Sequence, residues 1–396
     1  MEKIGEKITA FVPWEEIEAE AQQQVLNVAE MPFVTRVAVM PDCHYGMGAT
    51  IGTVMSTKGA VIPAAVGVDI GCGMIAVETT IKSHDAEQLS KVRQGLERRI
   101  PMSAGKFKEK ISVTAQKRID ELEALAVSNG AGIGFYDAIA KNWRHQVGTL
   151  GGGNHFIELC VDEKGTYWAT LHSGSRGIGN KIGNAYIKLA QKECAEAGVE
   201  LKDRDLAYLK EGTRSYDDYI RDLNWAQRFA LLNREEMMDQ FMTELADRFL
   251  GDHSKAKELE VRRINCHHNF SAEETHDVER SLVTRKGAIK AFSGDMGMIP
   301  GSMGTRSYIV SGKGNEESMC SAPHGAGRRM SRAKAKKQFT MADFDKAMEG
   351  IEHRRSEVLL DELPAAYKDI DHVMENAKDL VEVRAVLKQV LNCKGD

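Results

Sequence analysis

A chain of 396 residues, 42% hydrophobic and 28% charged, has enough apolar material for a large core and the ordinary balance of a globular protein. Its net charge of −5 excludes a protein that coats nucleic acid through a global basic field, and no apolar run is long enough to span a bilayer. The early acids of "MEKIGEKITAFVPWEEIEAE" break the basic-then-apolar order of a secretory signal, so a cytoplasmic protein with no membrane partner is expected.

Taken in chain order, apolar periodicity predicts a helix over 14–30, then strands at "RVAVM" (36–40) and "IAVET" (75–79). A second helix is expected over 108–127, followed by strands "FIELCV" (156–161) and "YWATL" (167–171). A long helix follows over 219–250, with Ile220, Leu223, Ala226 and Ala230 on one face. The strand "YIV" (308–310) comes next, and a last helix starts at Thr340, which stands at capping-box spacing from Asp343. With eight prolines, no repeat and no Gly/Ser spacer, the elements predict one continuous domain over 1–396. Its class is α+β, mixed sheets with surrounding helices.

Between these elements lie six glycine clusters that carry polar chemistry: "MPDCHYGMGATIG", "GVDIGCGM", "TLGGGNHF", "LHSGSRGIGN", "IPGSMGTRS" and "SAPHGAGRR". Glycine lets backbone approach a ligand closely, so the clusters predict a pocket assembled from loop tips on a rigid scaffold. The seven cysteines are odd in number, scattered and free of any CxxC pair. They predict no disulfide framework, and an important thiol is then a metal ligand or a nucleophile.

Asp69, Cys72, His155, His172, His267 and His268 all sit at such junctions. A lone histidine is more often structural than ligating, but glycine loops bearing Asn-His or His-Ser shift the balance toward a metal. The set suits Zn, Mn, Fe or Co better than Mg or Ca, and a thiolate at Cys72 is able to bridge two ions. On the phosphate side there is no P-loop, HExxH or CxxC…CxxC pattern. "PGSMGTRS" offers Ser302, Thr305 and Ser307 as either a phosphate nest or a simple turn. No KxDG lysine nucleophile is present, which leaves His324 in "SAPHGAGRR" as a candidate for attack on phosphorus. "RRMSRAKAKK", with Arg328, Arg329, Arg332, Lys334, Lys336 and Lys337, reads as a local phosphate grip or as a solvated helix face.

Together with "INCHHN", "VTRKGA", "AYKDI" and "CKG", these stretches run in order from about residue 31 to the C-terminus. They resemble the RtcB-type RNA ligases, which join RNA 3′-phosphate or 2′,3′-cyclic phosphate ends to 5′-hydroxyl ends. The resemblance implies an RtcB-like fold and two Mn2+ ions held by Asp69, Cys72, His155, His172 and His268, with Cys72 bridging. His268 precedes Asn269 and matches the family ligand; His267 becomes its neighbour. The resemblance makes His324 the residue guanylylated by GTP, oriented by Asp42. Around the guanylate it places Asn154, Glu158, Asn269, Pro300, Gly301, Ser302, Met303, Ser307, Gly325, Ala326, Gly327, Tyr367 and Lys394. It assigns RNA or nucleotide phosphates to Arg176 and Arg328, tRNA splicing or RNA repair as the setting, and an archease-like activating protein among the expected partners. Two departures bear on RNA choice. Cys43 and Met47 replace an aliphatic residue and a lysine, removing one positive charge near the site, and the segment 100–145 is shorter than in some relatives. A dinuclear metal phosphohydrolase without guanylylation is the alternative reading, and a non-catalytic RNA-binding protein a third.

Overall fold

Residues Met74 and Ala76 enter one apolar core while Ile75 and Val77 enter another, all of them fully buried. A strand whose two faces serve different cores must be covered on both sides, and this strand marks the middle layers of the molecule. The computed structural model describes residues 1–395. Its principal strands are β1 (Glu2–Ile4), β2 (Ile8–Ala10), β3 (Val34–His44), β4 (Ile51–Thr57), β5 (Gly73–Thr79), β6 (Phe156–Asp162) and β7 (Tyr167–Ser173). They continue with β8 (Glu260–His267), β9 (Asn269–His276), β10 (Glu279–Lys286), β11 (Met296–Pro300), β12 (Ser307–Gly312) and β13 (Val381–Lys394). The principal helices are α1 (Ala19–Ala29), α2 (Ala86–Arg99), α3 (Val113–Ser128), α4 (Arg176–Glu196), α5 (Arg214–Phe249), α6 (Arg332–Gln338) and α7 (Met341–Ala347).

One sheet has the order β1-β2-β3-β4-β10-β9, the other β8-β5-β7-β6-β13-β12-β11. Ala38, Met40, Val54 and Val283 of the first sheet meet Met74, Ala76, Trp168, Ile309 and Leu387 of the second in a shared core. The outer face of the first sheet packs Val37, Val39 and Met55 on Ala21, Val25 and Val28 of α1. On the second sheet's outer face, Ile75, Leu159 and Leu171 meet Leu89, Val92, Met237 and Phe241 of α2 and α5. The α+β class expected from sequence is therefore found as four layers, helix, sheet, sheet and helices. No helix among the described residues is long and apolar enough to cross a membrane.

Each expected strand is present, and the expected helices differ at their ends for identifiable reasons. Residues 14–30 divide into a short turn, Trp14–Glu16, and α1, because Ile17 and Glu18 are extended and Ile17 is buried in the α1 core. The 108–127 helix starts later, at Val113, behind the N-cap Ser112, whose side chain accepts from Ala115 N. The 219–250 helix starts earlier, behind Thr213, which caps the Tyr216 amide. Thr340 and Asp343 make the expected capping box. One reading needs correction: "LHSGSRGIGN" is not a loop beyond Ser175, because Arg176 begins the 21-residue helix α4. Its glycines permit close packing, and a Cβ at Gly183 would stand 3.1 Å from Val68 Cα.

Candidate active site

The register of the second sheet brings the candidate ligands to one end. Gly73 lies opposite both Ser173 and His267, Met74 opposite His172, and Phe156 opposite both His172 and Lys394. Cys72, His155, His172 and His268 thus leave neighbouring strands at the same level, with Asp69 on the turn before Cys72. Their donor atoms form a chain. Asp69 Oδ2 is 3.1 Å from His155 Nε2, which is 3.4 Å from Cys72 Sγ; that sulfur is 3.1 Å from His172 Nε2, itself 2.9 Å from His268 Nε2.

The ring orientations are set from behind. His155 Nδ1 donates to the Leu150 carbonyl at 2.9 Å. His268 Nδ1 faces Asn269 Oδ1 at 3.2 Å, and that oxygen also accepts from Gly287 N while Asn269 Nδ2 donates to Asp69 O. Both rings then carry their lone pair on Nε2, toward the cluster, the arrangement in which imidazole ligates. Burial pushes His172 and His268 well below the usual histidine range, and each is lowered further by neighbouring histidines, so both are neutral. Desolvation works against the Asp69 carboxylate; when His155 carries a second proton, on Nε2, its hydrogen bond and charge outweigh that and lower the group to about 2, and a cation bound at Nε2 would take the place of that proton. Burial, reinforced by the Asp69 charge, pushes the Cys72 thiol well up. A buried row of lone pairs, one carboxylate and one thiol fits a soft-to-borderline divalent cation; Arg176 and Arg234 stand behind it, their hydrogen bonds made to Thr149 and to the Gly71 and Ser173 carbonyls.

His324 stands beside this row, its ring 4.6 Å from that of His268. Asp42 Oδ2 accepts from His324 Nδ1 at 2.7 Å and from the His324 and Gly325 amides at 3.1 Å. The Asp42 side chain is fully buried, that of His324 14% exposed. Nδ1 is thereby the protonated nitrogen and Nε2 is left free as a nucleophile.

From His324 a cleft of about 350 Å³ runs along the β6, β13 and β12 ends. It is lined by Asn154, Glu158, Pro300, Gly301, Ser302, Met303, Ser307, His324, Gly325, Ala326, Gly327, Arg328, Tyr367 and Lys394. Of the residues expected around a nucleotide, Asn269 alone is elsewhere, because its side chain is spent on His268, Gly287 and the Asp69 carbonyl. Burial pushes Glu158 up to about 8 despite Lys394. Glu362 shows the reverse: burial raises it, but Lys394 and Arg332 win and hold it at about 2. Glu362 Oε2 accepts from Lys394 Nζ at 2.6 Å and from Tyr367 Oη at 2.8 Å, while Arg328 Nη1 donates to Tyr367 Oη at 3.0 Å.

Several expectations resolve here. "PGSMGTRS" is a closed turn: Ser302 N donates to Thr305 Oγ1, Gly301 N to Arg306 O and Gly304 N to Gln389 Oε1. Those amides are used, so it is not an open phosphate nest; the buried Ser307 Oγ, by contrast, has no partner. Of the basic run, Arg332 pairs with Asp361 and Glu362, whereas Lys334 and Lys337 are solvent-exposed on α6. Arg176 reaches Thr149 Oγ1 at 3.0 Å and packs behind the glycines that precede His155. His267 is turned away from the donor row, toward the Gly71 carbonyl and Arg234. Around Cys43 and Met47, Lys368 meets the Cys43 carbonyl and Lys286 that of Met47. Sequence reasoning missed His44, Phe156, Glu362 and Gln389 as pocket residues; the acidic Glu362 carried no glycine or histidine beside it to mark it. A second His/Cys/Glu group, His276, Glu316 and Cys320, belongs to an ion-pair network with Glu274 and Arg285.

Glycines 71 and 174 explain the spacing around the turn. A Cβ at Gly71 would stand 2.8 Å from Ala230 Cβ of α5, and one at Gly174 2.0 Å from Asp69 Oδ1. Here the missing side chains make room for the protein's own packing.

Residues 24–395 match a family model described as tRNA-splicing ligase RtcB. The chain is 48% identical to the RNA-splicing ligase RtcB of Escherichia coli K12 over 96% of its own length and 95% of the relative's. It is 30% identical to the tRNA-splicing ligase RtcB of Nanoarchaeum equitans over 90% of its length and 87% of that protein's. The chain belongs to the RtcB family.

Proposed function

We propose that this protein is a GTP-dependent RNA ligase acting as one RtcB-like domain. It joins RNA 3′-phosphate or 2′,3′-cyclic phosphate ends to 5′-hydroxyl ends. The observation that carries the reading is His324: a buried acid fixes its Nδ1–H, and its free Nε2 lies where the donor row meets the cleft.

Two Mn2+ ions would be held by Asp69, Cys72, His155, His172 and His268; bound there, they would neutralise phosphate charge and acidify water for opening a cyclic end. GTP occupies the cleft, with Glu158, Ser307, Tyr367 and Lys394 around the base and sugar. His324 Nε2 attacks the α-phosphorus, a P–N bond forms, and pyrophosphate leaves. Asp42 keeps the Nδ1 proton and stabilises the positive charge that develops on the ring. The guanylyl group then passes to the RNA 3′-phosphate, regenerating His324, and the 5′-hydroxyl attacks that activated end and expels GMP. Arg176 and Arg328 hold phosphates of the RNA, so that backbone contacts position the ends without reading sequence. Spliced tRNA halves and cleaved RNAs awaiting repair both present these ends in the cytoplasm, and an archease-like protein would serve as activator.

Incubation with α-labelled GTP and Mn2+ tests the reading. A covalent label on the wild type that disappears in His324→Ala is expected, together with joining of 3′-phosphate to 5′-hydroxyl RNA and not of 3′-hydroxyl to 5′-phosphate RNA. Phosphate release from RNA without any label on the protein would favour the dinuclear phosphohydrolase.

A further inference from the structure

Each chain segment that carries a ligand candidate of the second sheet is connected to the same two residues of α5. Asn233 and Arg234 are fully buried in the middle of that helix. Asn233 Oδ1 accepts from the Gly148 and Thr149 amides at 2.8 and 3.2 Å. Its Nδ2 donates back to Thr149 O at 3.2 Å and to Gly174 O at 3.1 Å. Arg234 Nη1 donates to Gly71 O at 2.8 Å and Ser173 O at 3.0 Å, Nε donates to Asn265 Oδ1 at 2.8 Å, and Nη2 lies 3.1 Å from His267 Nδ1.

These partners are the immediate neighbours of the donor row. Gly71 precedes Cys72, Ser173 follows His172, and His267 precedes His268. The 148–150 segment ends in the Leu150 carbonyl that orients His155. Among the described residues no carboxylate pairs with Arg234, and a buried guanidinium without one is costly unless its hydrogen bonds are well made. Of the buried positions that flank them on α5, Phe229, Ala230, Met237 and Met238 are apolar, and the buried Glu236 is paired with Arg118 instead. What Arg234 adds over such a side chain is a planar fork that fixes carbonyls from two distant segments in one plane.

We infer that Asn233 and Arg234 are positioning residues of the metal centre: they set the spacing of the segments bearing Asp69 and Cys72, His155, His172 and His268, and thereby the affinity for the ions. The inference rests on the metal-centre reading above. Arg234→Lys and Asn233→Ser are compared with the wild type by Mn2+ titration followed by electron paramagnetic resonance and by the thiolate charge-transfer absorption of bound Co2+. Metal affinity is expected to fall 10–100-fold, the usual effect of losing a group that orients ligands, with a shifted Co2+ spectrum. The thermal midpoint in chelator should stay near that of the wild type, and His324 labelling should return as Mn2+ is raised. Folded variants with wild-type affinity and spectrum overturn the inference. Should Arg234→Lys fail to fold in chelator, Asn233→Ser decides on the same readouts. A wild type that takes up neither ion, or no more than Cys72→Ala, defeats the metal-centre reading itself, and the inference with it.

Discussion

The donor row and the cleft share one end of one sheet, yet they are stabilised in opposite ways. In the row, side chains that would all ligate a cation press on one another, the Cys72 thiol is pushed up and His172 and His268 are pushed down. In the cleft, cations are abundant and already occupied: Lys394, Arg328 and Arg332 converge on Glu362. The first region gathers cation ligands with Arg176 and Arg234 only behind them, and the second has its positive charge in reserve. A metal therefore completes the row, whereas an anionic ligand in the cleft must compete with Glu362 for partners it already holds.

The largest test of this contrast is Cys72→Ser. It removes the middle of the row, and Mn2+ affinity should fall by more than the roughly 10–100-fold that follows loss of an orienting group. Labelling of His324 should vanish with it, measured by metal analysis and by labelled GTP on gels, while circular dichroism stays native. Asp42→Asn strikes the other side. Labelling should drop by roughly 10²–10⁴-fold, as when the acid behind a catalytic histidine is neutralised, with Mn2+ affinity unchanged; a parallel loss of metal would show that the two regions are not separate.

A third test uses pH. Because burial and Asp69 keep the proton on Cys72, metal uptake must expel it, so apparent affinity should rise by up to about tenfold per pH unit between pH 6 and 8. Proton release on adding Mn2+ in weak buffer measures the same event, and a pH-independent affinity would contradict it. The smallest effect is expected at Glu158. Raised from 4.5 to about 8, it keeps in the folded state a proton that the unfolded chain has lost, so it costs stability as pH rises between those values. Glu158→Gln removes that cost. Its thermal midpoint should gain a few degrees on the wild type at pH 8, on the order of 1 °C per kcal/mol for a chain of this length, and nothing near pH 4.

The elements that sequence predicts well are those whose pattern is local. The apolar run in Gly73–Thr79, the cap at Thr340 and the pairing of histidines with glycines were all legible, while the residue pattern alone also grouped His267, which the fold turns toward Gly71 and Arg234. The glycines were read as space for a ligand, and at Gly71 and Gly174 their use is instead close packing of chain on chain. That same confusion hid the start of α4, where glycine looks like loop until a partner surface is known. Asn233, Arg234 and Glu362 were illegible for a different reason. Each is polar, lies in or beside a helix and looks like solvent-facing surface, and only the tertiary fold shows it to be buried.

Strand β13 sits between β6 and β12, more than 200 residues from the first of them in sequence, and carries Lys394 to the cleft. Every donor of the row, by contrast, precedes residue 269. During synthesis the ribosome delivers the whole row while β13 is still missing, and domains complete their long-range pairing only once the distant partner emerges. The residues of the row are thus in the chain before the strand that closes the cleft, and the cleft is the last part of this sheet end to be completed.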